Sequence, residues 1–73
     1  MPPKQSDAVL AFIVDLIYER IADAAETAKA AKACADIENL DEAIRITLAI
    51  EQPIYEANAL LSAAALIKRR ADD

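Results

Sequence analysis

Apolar residues recur along the first half of the chain at alternating intervals of four and three positions. No proline or glycine interrupts residues 6–35, and Ser6 or Asp7 can cap the start of this segment. Such alternation places one apolar stripe along an α-helix. The sequence therefore predicts a long helix over about 6–35, with a stripe formed by Leu10, Val14, Ile17, Ile21, Ala24, Ala28, Ala31 and Ala35.

A second periodic segment follows a break at residues 36–39, where helix-capping residue types cluster. Asn39 with Glu42 resembles a capping box, which predicts a second helix over about 40–71. Pro53 predicts a kink or a split in this helix because proline has no N–H and clashes with the preceding turn. The kink is favoured because the residue before the proline is a poor N-cap. The stripe of this helix is Ala43, Ile46, Ile50, Pro53, Ala57, Leu60, Ala64 and Ile67.

The two helices are expected to form an antiparallel hairpin, a single all-α domain over 6–71 that follows a disordered lead over 1–5. A turn near 37–38 makes the numbers of facing residues sum to about 75, and in four of the seven resulting pairs a large side chain lies opposite an alanine. The predicted pairs are Leu10 with Ala64, Ile13 with Leu61, Ile17 with Ala57, Ile21 with Ile54, Ala24 with Ile50, Ala28 with Ile46, and Ala31 with Ala43.

A hairpin alone leaves several large apolar residues uncovered, and each would contribute about 1.5–3 kcal/mol if it were fully buried. The simplest cover is a second copy of the chain, which gives a four-helix-bundle homodimer. Two alternatives stay open: a monomer in which the chain after Pro53 folds back over Phe12 and Leu16, and a hairpin that docks on another protein. The candidate interface residues are Val9, Phe12, Leu16, Ile44, Leu48, Tyr55 and Leu66.

Two groups of charged residues are expected to support the helices. Arg20 falls beside the stripe of the first helix and can pair with Glu56 or Asn58 across the hairpin. Arg45 lies within one turn of the acidic residues 41–42, at the spacing of helix-stabilising ion pairs.

The 73-residue chain contains no histidine, which excludes histidine-dependent catalysis and histidine metal ligation. We therefore expect no catalytic residues, no cofactor and no metal. Asp15, Glu19, Asp23 and Glu26 form an acidic row, but carboxylate metal sites in helix bundles use inward-facing Glu with a Glu-x-x-His motif. The row is expected to be a solvated face.

The net charge of −5 disfavours a surface dedicated to nucleic acid, because phosphate binding relies on clustered Lys and Arg. The sequence instead favours a small homo-oligomeric protein-interaction module, such as an adaptor or a regulatory subunit. The alternative is a small nucleic-acid-associated regulator that uses the basic C-terminal turn of Lys68, Arg69 and Arg70. Asp72 and Asp73 follow this turn and offset much of its charge.

Cysteine content and hydropathy indicate the cellular location of the chain. Cys34 is the single cysteine, so no intrachain disulfide can form and a cytoplasmic setting is expected. The simplest role of Cys34 is that of a small buried hydrophobe, with an intermolecular disulfide as the alternative. The apolar run at 8–18 contains Asp15 and is shorter than the roughly 20 residues that span a bilayer, so no membrane is expected as a partner.

Overall fold

The computed structural model describes the backbone of residues 3–72 and the side chains of residues 5–72. They form three helices, which are α1 (Pro3–Asp36), α2 (Leu40–Leu48) and α3 (Glu51–Asp72). Together α2 and α3 make a second arm that packs against α1 as a hairpin, so the predicted all-α hairpin is confirmed. The hairpin is a long, thin body of 54 × 14 × 11 Å.

The first helix begins earlier than the sequence predicts. It starts at Pro3, and proline is favoured there because the first N–H groups of a helix have no intrahelical acceptor. Residues 3–5 of the predicted lead are therefore helical, whereas Met1 and Pro2 lie outside the described residues. Ser6 is buried within the helix, so the N-cap predicted at this point is wrong.

The turn between the arms is closed by the two hydrogen bonds of a Schellman motif. The N–H of Glu38 donates to the carbonyl of Ala35, and the N–H of Asn39 donates to the carbonyl of Cys34, both at 2.9 Å. The motif requires one residue in the left-handed conformation, and Glu38 adopts it with a φ of 64°. Glycine usually fills this position because it has no Cβ, but the chain contains no glycine. Glu38 therefore carries local backbone strain.

Asn39 caps the second arm, as predicted. Its Oδ1 accepts a hydrogen bond from the N–H of Glu42 at 3.4 Å. The reciprocal half of a capping box is not formed, because the N–H of Asn39 serves Cys34 and the carboxylate of Glu42 accepts from Arg45, with Nε and Oε2 2.9 Å apart. The hydrogen bond between Glu42 and Arg45 lowers the pKa of Glu42 and raises the pKa of Arg45.

The second arm bends at residues 49–50. Both residues donate to the carbonyl three positions earlier, at 3.0 Å, which is tighter than α-helical spacing. Pro53 lies in the first turn of α3, and its missing N–H is the one that a continuous helix would direct to the carbonyl of Ala49. The predicted bend is confirmed, and it divides the arm into two helices instead of leaving one kinked helix.

The core between the arms is narrow and consists mostly of alanine. Small side chains allow two helix backbones to approach closely, which gives dense packing with little apolar area. The buried apolar residues within the described part of the chain are Ile13, Ala24, Ala31, Ala43 and Ala57.

The packing stripe predicted for the second arm is confirmed, because each of its residues is buried or half-buried. The stripe of α1 differs from the prediction at three positions. Three residues predicted to belong to it are exposed, namely Val14, Ile21 and Ala28. The residues directly before them face the second arm instead, and these are Ile13, Arg20 and Thr27.

The register of the hairpin is within one residue of the predicted one. An ion pair joins Arg20 to Glu56 across the arms, at positions whose numbers sum to 76 instead of 75. Three of the predicted pairs are nevertheless wrong because they contain exposed residues, which are Ile21, Ala28, Ile54 and Leu61.

Candidate protein-interaction faces

The hairpin has two long faces, one on each side of the plane that contains both arms. An α-helix turns by about 100° per residue, so residues directly after the stripe lie on one side and residues directly before it lie on the other. Because the arms are antiparallel, the residues that follow the stripe in both arms share one side. We name this side the tyrosine face, after Tyr18, and the opposite side the phenylalanine face, after Phe12.

The tyrosine face is apolar along most of its length. On α1 it contains Ala11, Val14, Tyr18, Ile21, Ala25 and Ala28, and on α3 it contains Ile54, Asn58, Leu61 and Ala65. All of these residues are exposed, with Val14 and Leu61 each at 59% and Tyr18 at 74%. None of them is charged. This uncharged surface is absent from the sequence prediction, which placed several of its residues between the arms.

The phenylalanine face is divided into an apolar and an acidic part. Its residues include Val9, Phe12, Leu16, Glu19, Asp23 and Glu26 on α1, and Glu56, Ala59, Ala63 and Leu66 on α3. The apolar residues lie toward the open end of the hairpin, and the carboxylates lie nearer the turn. Phe12 is 62% exposed while α3 runs back along α1, so the alternative in which the chain after Pro53 covers Phe12 and Leu16 is wrong.

The seven candidate interface residues do not form one patch. Four of them share the phenylalanine face near the open end: Val9, Phe12, Leu16 and Leu66. Ile44 directly follows a stripe residue of α2 and belongs to the side of the tyrosine face. Leu48 and Tyr55 point outward from the second arm, and both are exposed. Six of the seven are exposed and Leu16 is half-buried.

The ion pair between Arg20 and Glu56 confirms the predicted role of Arg20. Its Nε lies 2.9 Å from Oε1 of Glu56. The second carboxylate oxygen of Glu56 accepts from the side chain of Gln52 at 3.0 Å, which fixes the acceptor. Both charged side chains are partly solvated, so the pair contributes at most about 1 kcal/mol to stability. The pair joins α1 to α3 near the middle of the hairpin.

The basic C-terminal turn is exposed but partly neutralised. Lys68, Arg69 and Arg70 are all exposed in the last turns of α3. Nζ of Lys68 lies 3.1 Å from Oδ1 of Asp72, whereas Asp73 lies outside the described residues. The local positive charge available for phosphate is therefore smaller than the sequence count suggests.

The remaining candidate sites are the acidic row of α1 and the thiol of Cys34. The acidic row from Asp15 to Glu26 is exposed, and the described side chains contain no group of three or more potential metal ligands. No pocket is present within residues 3–72. Cys34 is a half-buried thiol. Over the same range, no helix has both the length and the apolarity needed to cross a membrane.

No protein-family model matches the chain, and neither a curated protein nor a solved structure is significantly similar to it.

Proposed function

We propose that this chain is a non-enzymatic, homo-oligomeric protein-interaction module, such as an adaptor or a regulatory subunit of the cytoplasm. The observation that carries the proposal is the exposure of large apolar side chains along both faces of the hairpin. Exposed single apolar residues are common on proteins, but contiguous patches mark interaction surfaces.

The composition of the core supports the same proposal. Among the residues whose side chains the structure describes, four of the five buried apolar residues are alanines, which remove little apolar surface from water. A small domain with so little burial is marginally stable by itself. Contact with a partner would add the burial that the two arms do not supply to each other.

The surface area of the chain indicates how much contact is needed. A compact monomer of 7.9 kDa exposes about 4,400 Å². This chain exposes 5582 Å², about 1,200 Å² more than that compact monomer. A typical stable protein interface covers about 800 Å² on each partner. The surplus is thus large enough for one such interface.

The proposal of a cytoplasmic, non-enzymatic role rests on the composition of the chain. A single cysteine is typical of a reducing compartment, and the absence of histidine removes the commonest acid–base catalyst.

Sedimentation velocity of the wild-type protein tests the proposal. Over about 1–100 µM we expect a species of twice the 7.9 kDa chain mass, with a dimer fraction that rises with concentration by mass action. A protein that sediments at the mass of one chain throughout this range would contradict the homo-oligomeric proposal.

A further inference from the structure

The tyrosine face consists of two uncharged stripes that lie side by side. On α1 its residues recur at alternating intervals of three and four, between Asp7 near the open end and Lys32 near the turn. On α3 the corresponding stripe lies between Glu51 and Lys68. This spacing is the one by which packed helices interlock. Each arm therefore has a second stripe that suits helix packing and that no other described residue of the chain covers.

The large side chains of the tyrosine face are arranged symmetrically along the hairpin. The register fixed by Arg20 and Glu56 places Tyr18 and Asn58 at one level. Val14 and Leu61 lie one turn from this level toward the open end. Ile21 and Ile54 lie one turn from it toward the turn.

We propose that a second copy of this chain docks on the tyrosine face, related by a two-fold axis that passes through the level of Tyr18 and Asn58. This inference rests on the homo-oligomeric function proposed above. The rotation sets Val14 against Ile21 of the second copy and Leu61 against its Ile54. The product is an antiparallel four-helix bundle with its two turns at opposite ends.

The polar groups of the face are compatible with this symmetry. An asparagine amide both donates and accepts hydrogen bonds, so Asn58 can pair with its own copy at the axis. Asp7 comes within about one turn of Lys29 and Lys32 of the second copy, which places opposite charges at the rim of the contact. The charges outside the apolar stripes therefore favour the same orientation.

The phenylalanine face is a poorer match for a second copy. Glu19 and Asp23 interrupt its apolar stripe, and both are exposed. A two-fold contact that covers this face along its length would bring the carboxylates of the two copies together, which is repulsive. The phenylalanine face therefore stays uncovered in the proposed dimer.

The size of the tyrosine face is sufficient for a stable dimer. From Asp7 to Lys32 the helix extends about 37 Å, and two helices side by side are about 20 Å wide. The resulting area of about 750 Å² per copy is close to the standard 800 Å². The dimer contact thus accounts for most of the excess surface of the single chain.

Disulfide trapping at the axis tests the placement. In a Cys34→Ala background, Tyr18→Cys lies close to its own copy and should form covalent dimers under mild oxidation, because a disulfide requires Cα atoms about 4.4–6.8 Å apart. Tyr55→Cys is the matched control, since Tyr55 is similarly exposed, at 68%, but points away from both faces. Asn58→Cys tests the same placement on the second arm and should also form covalent dimers. Equal trapping at Tyr55, or none at Tyr18 and Asn58, would overturn the placement.

Charge insertion tests the same contact without a cross-link. Leu61→Glu places a charge in the interface from each of the two copies. The dimer dissociation constant should therefore rise at least about 100-fold. Leu48→Glu, on the outer side of the second arm, is expected to change it less than about fivefold. Circular dichroism shows whether each variant remains helical.

The outcomes separate this inference from the function on which it rests. A wild-type protein that is monomeric would contradict the homo-oligomeric function itself. If the wild type is a dimer that Phe12→Glu dissociates and Leu61→Glu does not, self-association stands and the tyrosine face is the wrong surface.

Discussion

At residue 38 the backbone adopts a left-handed conformation that most side chains disfavour. Glu38 adopts it because the Schellman motif must reverse the chain within three residues, 37–39. The penalty for a residue with a Cβ in this conformation is about 1–2 kcal/mol. The connection between the arms is therefore a site where a single change of side chain can increase stability.

Replacing Glu38 with glycine is expected to raise the free energy of unfolding by about 0.5–1 kcal/mol, because glycine takes this conformation without strain but is also freer in the unfolded chain. Urea unfolding followed by circular dichroism measures the change. Glu38→Ala is the control, since alanine keeps the Cβ and removes only the charge. An equal gain from Glu38→Ala would attribute the effect to the charge instead of the backbone.

The pair of Glu42 and Arg45 makes a pH-dependent contribution to stability. Its hydrogen bond lowers the pKa of Glu42 below the usual 4.5. A carboxyl group whose pKa is lowered by folding stabilises the fold above its unfolded pKa, and this contribution disappears as the pH falls through the folded value. The pair should therefore act at neutral pH and be lost in acid.

Arg45→Met is expected to lower the free energy of unfolding at pH 7. This loss should become smaller as the pH falls below 4.5. Urea unfolding of both proteins at several pH values gives the difference. In a Glu42→Gln background the same substitution should show no such pH dependence. If the dependence persists in that background, it arises from another group.

Among the helices, α1 shows most clearly what a sequence pattern can and cannot specify. In the second arm, the stripe from Ala43 to Ile67 contains no polar residue, whereas the neighbouring stripe contains Glu51 and Asn58, so the inward side is predicted residue by residue. In α1, two apolar stripes lie next to each other, one through Ile13 and the other through Val14 and Ile21. Hydrophobicity alone would turn the stripe of Val14 and Ile21 toward the second arm, because the stripe of Ile13 also contains the polar residues Arg20 and Thr27. In the fold, however, the stem of Arg20 lies beside the seam while its charged end reaches Glu56.

This ambiguity also explains how much of the candidate interface was predictable. The phenylalanine face was recognised because Phe12 and Leu16 lie away from either possible stripe. The tyrosine face is absent from the sequence prediction because several of its residues are assigned there to the core. A helical-wheel pattern specifies that α1 has a broad apolar surface, but it does not specify which part of that surface turns inward; in the fold the inward part includes Arg20, which pairs with Glu56.

Close approach of the helices at alanine can be tested at neighbouring positions. Ala31→Leu inserts a larger side chain into the core and should lower the free energy of unfolding by about 1–3 kcal/mol. Ala30→Leu, one residue away and exposed, should change it by less than about 0.5 kcal/mol. Thermal or urea unfolding distinguishes the two, and similar effects at both positions would contradict the alanine core.

On the scale of the whole molecule, shape is the property that separates this chain from a compact domain. Its radius of gyration is 16.7 Å, whereas a compact chain of 73 residues has about 11 Å. A hairpin of two helices lacks an interior that encloses many large side chains, and Ile13 is the only large apolar residue buried among the described residues. A bundle twice as thick has such an interior, and the tyrosine face would form half of it.

The short connection at residues 37–39 also affects the order in which the parts of the hairpin fold. Contacts between the arms near this connection close only small loops, whereas contacts at the open end close loops that span nearly the whole chain. Closing a short loop loses less chain entropy, so the helices can pair first near the connection and then zip toward the termini. We therefore expect folding to start near the strained residue that reverses the chain, and the ends of the hairpin to assemble last and to separate first.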